Sequence, residues 1–267
     1  MMAPVSVVKQ TAKNALKGDY LKTIIAALPV IFANLIILYS ASVIGEFTSA
    51  AIEITLRAVC SFFIVCPLCF GTVRFFRRKT YGADDNVVGV FYYFSTGKRF
   101  FKSILLIICV FVRVIGPAIV AILPVVIAKV LQNGELYEKM GLDIPDFVSA
   151  LPFVTTFFIL GAAVSIFFLL IKYYLALYLF VSDDDMTIGE IIHMSKTIGR
   201  RNQGDFLVLL FSCVHYLILT ALLIFAPFTV PVLFASYNVH CRFAVTEYNL
   251  AIKELSKEYT PTHTEGE

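Results

Sequence analysis

Tryptophan is absent from this 267-residue chain, and charged residues make up only 15% of it. A soluble domain carries about 25% charged residues, so the shortage of charge excludes an ordinary water-soluble protein. No phosphate-binding glycine loop, dinucleotide fingerprint, hydrolase nucleophile elbow or zinc-protease helix occurs in the sequence, which leaves those chemistries without a carrier. The net charge of +3 is too small to argue for nucleic acid, which is not expected as a partner. The six cysteines lie in or beside apolar runs and read mostly as small buried hydrophobes rather than as a disulfide frame.

Apolar residues fill the space that charge leaves. They make up 59% of the chain, and the mean hydropathy is +0.83. They come in runs near the roughly 20 residues that an α-helix needs to cross about 30 Å of hydrocarbon. The fold class expected is therefore all-α, a polytopic integral membrane helical bundle with about six membrane-embedded segments plus amphipathic interfacial helices. The segments expected are 21–44, 54–76, 103–130, 153–181, 206–225 and 232–250, in one domain with a tail over 251–267. With no tryptophan, Tyr and Phe must supply the aromatic belts at the membrane surface.

The placement of charge sets the expected orientation. Lys9, Lys13, Lys17 and Lys22 precede the first run, and Arg74, Arg77, Arg78, Lys79, Lys98, Arg99 and Lys102 separate the second from the third. The alternate loops are short or acidic, with Glu46 and Glu53 after the first run and Glu135, Glu138, Asp143 and Asp146 after the third. Basic loops stay inside, so a cell-membrane protein with cytoplasmic termini follows. The first run, 21–44, exceeds the 7 to 15 residues of a signal-peptide core and is read as a retained helix.

Between the runs, amphipathic patterns recur. Val5, Val8, Ala12, Ala15 and Leu16 lie at helical spacing opposite Lys9, Lys13 and Lys17, so 1–18 reads as a helix on the inner leaflet. The aromatic stretch from Asp84 to Lys102 suits the headgroup layer better than a crossing. Thr187 and Glu190 have capping-box spacing, with Met186 and Ile191 placed as the hydrophobic staple. They open an expected cytoplasmic helix over 187–200 whose face is Ile188, Ile191, Ile192, Ser195 and Ile198. Pro117 and Pro124 are expected to bend the third membrane helix, and Pro227 with Pro231 to break the chain before the last segment.

Three stretches carry a resemblance: LKGDYLKTI, CPLCFGTVRFFRRKT and YYLALYLFVSDDDMTIGEIIHMSKTIGRRNQGDFLVLLFS. They resemble an uncharacterised family of Firmicute integral membrane proteins, number nine hundred and seventy-five in the domain-of-unknown-function series. The family usually has a Gly-Pro-x-x-x-Gly-like element where this chain has Cys66-Pro67-Leu68-Cys69-Phe70-Gly71, so the first Gly is missing. The family is also similar to the membrane portion fused to some glycerophosphodiester phosphodiesterases. The resemblance implies a bacterial membrane protein and assigns no activity.

A few residues point to chemistry. Arg113 lies about ten residues inside the third helix, where a charge costs roughly 2.5–3.5 kcal/mol. It is read as structural or inter-helical, helped by the carbonyl that Pro117 leaves free, or as a site for a lipid phosphate or other anion. Glu53 and Arg57, one turn apart, read as an ion pair that neutralises both groups, with Glu53 reaching Arg113 as the alternative. Cys66 and Cys69 have thiol-redox spacing but sit in an apolar helix. Cys213, His215, His240 and Cys241 suit zinc in type and not in spacing. Asp183, Asp184 and Asp185 suit a cation, or a solvated turn that favours a helix N-terminus.

No cofactor is expected. The partners expected are membrane lipids and either another membrane protein or a second copy of the chain. The reading is a non-enzymatic envelope or transporter-associated component. The alternatives are a lipid or small-solute transporter with a midplane site near Arg113, and a membrane thiol redox enzyme.

Overall fold

The computed structural model of the chain describes residues 3–83, 85–131 and 151–258, which are helical with no strand among them. The acidic loop with Glu135, Glu138, Asp143 and Asp146 lies outside the described residues, as do Asp84 and the last nine residues. The helices are α1 (Val5–Leu16), α2 (Tyr20–Phe47), α3 (Ala50–Cys60), α4 (Cys66–Thr80), α5 (Gly97–Leu131), α6 (Leu151–Ile171), α7 (Ala176–Ser182), α8 (Ile188–Arg201), α9 (Gln203–Ser212), α10 (Val214–Ala221) and α11 (Ala226–Glu258).

Among the described residues, four helical runs are long and apolar enough to cross a membrane: Tyr20–Phe47, Ala50–Thr80, Gly97–Ile127 and Thr155–Ser182. The bent pair α9 and α10 makes a fifth if it is counted as one. Tyr20–Phe47, one of two runs of 28 residues, extends about 42 Å at 1.5 Å per residue, more than the hydrocarbon requires.

The run Ala50–Thr80 is continuous because a wide π-helical turn, Ser61–Val65, joins α3 to α4. The cause is local. Pro67 has no N–H to give the carbonyl of Phe63, and the backbone widens where that bond is missing. By contrast, α5 passes through Pro117 and Pro124 without interruption.

The chain divides into two compact units, one of 1–106 with 175–267 and one of 107–174. The second holds the greater part of α5 and all of α6, whose side chains are largely exposed and apolar. The first holds the remaining helices around a core that includes Val8, Ala12, Ala26, Phe75, Phe76, Val90, Ala235 and Val239. A single glycine determines how the 3-10 helix Val87–Phe94 sits in it. A Cβ at Gly71 would stand 1.7 Å from the carbonyl oxygen of Val90, so the two backbones touch and only glycine fits.

Three features differ from the sequence reading. The apolar face of α1, with Val8 and Ala12 fully buried and Leu16 nearly so, is covered by protein and not by a bilayer. Pro227 and Pro231 do not break the chain before the last helix, because α11 starts at Ala226 and takes Pro227 into its first turn. A proline there sacrifices no helical hydrogen bond. The run expected at 206–225 is bent by 52° between α9 and α10.

That bend has a visible hydrogen-bond origin. The N–H of Tyr216 donates to Cys213 O at 2.9 Å instead of reaching back to Ser212. The Ser212 carbonyl is thereby free and accepts from the Lys9 ammonium of α1 at 2.5 Å. A cation at the end of α9 also complements the helix dipole.

Candidate functional site

Cations and aromatic rings gather at the basic end of the first unit. The last turn of α4 carries Arg77, Arg78 and Lys79. Lys79 pairs with Asp19, the residue before α2, and Arg78 pairs with Asp85 at 3.2 Å. Arg74 and Arg99 lie over the ring of Tyr92 at 3.7 and 4.1 Å. Arg242 of α11 lies over Tyr81 at 4.3 Å and donates to Thr80 O at 3.3 Å. At partly exposed sites such as these, where Tyr81 is half exposed, cation–π contacts contribute about 0.5–1 kcal/mol each.

The acidic turn before α8 is drawn into the same cluster. Asp184 accepts from the Tyr92 hydroxyl at 2.6 Å, and its carbonyl accepts from Lys102. Burial, and then the bond to Asp184, raise the Tyr92 phenol above its ordinary value. Beneath it, Tyr93 packs with Phe70 and Phe180 at ring separations of 5.7 and 5.3 Å. Asp183 accepts from the N–H of Asp185 at 2.9 Å. The triple acid therefore serves as a turn and a clamp, and among the described residues no three metal-ligating side chains come together.

At the start of α8 the capping box is complete. Glu190 accepts from the N–H and the hydroxyl of Thr187, both at 2.8 Å, and returns its own N–H to that hydroxyl. The backbone bond from Thr187 is the largest cause that lowers the Glu190 carboxyl below its ordinary value. A lowered carboxyl stabilises the fold above its unfolded value, and that contribution is lost as pH falls through the folded one. Amide protection in the first turn of α8 is expected to drop on acidification in the wild type and to stay level in Glu190→Gln. Hydrogen exchange corrected for intrinsic rates measures this, and equal pH profiles would refute it.

A second feature is apolar. A cavity of about 670 Å³ lies between α2, α9, α10 and α11, with Leu177 of α7 also on its wall. Its polar lining is Asn34, Thr220, Ser236 and Tyr237 beside Cys213. Both the volume and the few polar groups fall in the range of ligand pockets, about 300–1,000 Å³.

The residues singled out in the sequence are dispersed. Glu53 and Arg57 form their ion pair at 2.5 Å, and Arg57 also donates to Ser42 at 2.8 Å. Arg113 is exposed on α5, between exposed Val112 and buried Val114. All six cysteines are free. Cys213 is buried at the α9–α10 bend, while His240 packs on Phe206 with ring centroids 5.5 Å apart. Sequence reasoning missed Gly71, Tyr92, Tyr93 and Ser236. The only signal for Gly71 was its place at the end of the Cys-Pro-x-x-x-Gly element, and the cavity left none because its walls come from distant segments.

The family described as "Protein of unknown function (DUF975)" matches residues 2–250. No curated protein and no solved structure matches the chain.

Proposed function

Because this chain belongs to the DUF975 family of proteins of unknown function, we propose its role from its own geometry. It is a multi-pass protein of a bacterial cell membrane, a non-enzymatic envelope component with its basic end in the cytoplasmic headgroup layer. The observation that carries this is the gathering of helix ends at one place. The start of α2 and the end of α4 are tied by Asp19 and Lys79, and the Lys102 and Tyr92 contacts bring the start of α5 to the turn after α7.

Each of the four long runs therefore begins or ends beside basic residues. Cations near an anionic leaflet gain about 1 kcal/mol each from the surface potential, and loops rich in them stay inside. Tyr81, Phe91, Phe94 and Phe101, all exposed, supply at that end the aromatic belt that tryptophan cannot.

Contacts at the same end support a reading of α11. Tyr20, at the start of α2, donates to Phe228 O at 2.6 Å, while Arg242 reaches Thr80 at the end of α4. Fourteen residues of helix, about 21 Å, thus bridge two helix ends that Asp19 and Lys79 hold together. In this reading α11 lies across the basic end, and α9 with α10 dips inward and returns. Four crossings then leave both termini in the cytoplasm.

The cations at this end are engaged with rings and carboxylates in a network that holds helices together, which supports binding and organisation over catalysis. Carbonate washing of membranes tests the embedding. The chain is expected to stay in the pellet, and its release into the supernatant would overturn the reading.

A further inference from the structure

We propose that the cavity between α2, α9, α10 and α11 holds an acyl chain of a membrane glycerophospholipid, with the Ser236 hydroxyl donating to the ester carbonyl. The proposal rests on the membrane reading above, since the bilayer is the source of the lipid.

The key observation is a buried hydroxyl with nothing to bond. Ser236 is 1% exposed, lines the cavity, and its Oγ has no hydrogen-bond partner. A serine in a helix ordinarily satisfies itself on the carbonyl four residues back, as Thr72 and Thr220 do here on Leu68 and Tyr216. Ser236 does not. An orphaned buried hydroxyl costs free energy unless an incoming group supplies the bond.

The other walls define that group. Leu35, Leu38, Leu209, Leu217 and Leu233 offer hydrocarbon, which disfavours water and suits an extended apolar chain. Opposite, Asn34 stands exposed in the middle of an apolar helix, with its Nδ2 donating to Val30 O at 2.9 Å. The site thus takes a long apolar tail carrying an uncharged acceptor, as a lipid ester does. Charge selects the head: the end of the unit crossed by α11 is rich in Lys and Arg, so an anionic phospholipid is complementary.

The absence of tryptophan provides the assay. Leu38→Trp puts a single indole on the cavity wall, and Phe157→Trp puts one on an exposed face of α6 as the control. The probe is phosphatidylglycerol with brominated acyl chains, added to each purified variant in detergent micelles. Quenching at Leu38→Trp is expected to saturate near an equimolar ratio, whereas Phe157→Trp follows the lipid fraction of the micelle linearly.

In the Leu38→Trp background, Ser236→Ala is expected to weaken binding by about three- to tenfold, the loss of one hydrogen bond. Ser236→Leu, which removes the hydroxyl and puts an isobutyl group where the ester would sit, is expected to remove the saturable component. Ala is smaller than Ser and keeps the fold, which circular dichroism verifies. Linear quenching at Leu38→Trp, or unchanged binding in folded Ser236→Ala, overturns the proposal while a chain retained after carbonate washing keeps the membrane reading. A chain that carbonate releases loses both.

Discussion

Gly71→Ala is expected to unseat the 3-10 helix Val87–Phe94 from α4 and to lower the melting temperature of the purified protein by about 6–12 °C. The new methyl would meet the Val90 carbonyl oxygen at 1.7 Å and its carbon at 2.6 Å. A flexible side chain could swing away from such a contact. Here the obstacle is backbone, so the whole helix must move.

Val90 and Tyr93 are both buried, and their displacement takes Tyr93 away from Phe70 and Phe180. It also pulls Tyr92 from Arg74, Arg99 and Asp184. Overpacking in a well-packed core costs about 1–3 kcal/mol, and a fixed backbone obstacle belongs at the top of that range. Differential scanning fluorimetry in detergent gives the readout, and a wild-type melting temperature would show that the helix is not seated on Gly71.

The features legible in the sequence were those with short-range causes. Hydropathy is a sum over adjacent residues, so the long apolar runs announced themselves. The capping box at Thr187 and Glu190 is a three-residue signal, and Ile191, Ile192, Ser195 and Ile198 are buried on the face that periodicity assigned. The Glu53–Arg57 pair is likewise one turn of helix.

What stayed hidden depends on distant partners. The stripe on α1 predicts an amphipathic helix, but periodicity cannot tell lipid from protein as the cover, and Val8 and Ala12 are buried in the protein core. The bend at Cys213 needs Lys9, more than two hundred residues earlier. A helix start at Ala226 was masked by two prolines that sequence reading treats as breakers, although one belongs to the first turn. The cations were visible as a charge cluster. Their rings were visible as aromatics, and only folding pairs Arg242 with Tyr81.

The central claim is that the apolar runs cross a bilayer with the basic end inside. The most direct measurement is labelling by a membrane-impermeant maleimide of single-cysteine variants in which the native cysteines are replaced. Thr48 and Ser49 join α2 to α3 at the end away from the basic cluster, so Ser49→Cys is expected to be labelled in intact cells and not in sealed inverted vesicles. Thr96→Cys, just before α5, is expected to show the reverse. Labelling of Thr96→Cys in intact cells, or of both positions from one side, would contradict the account.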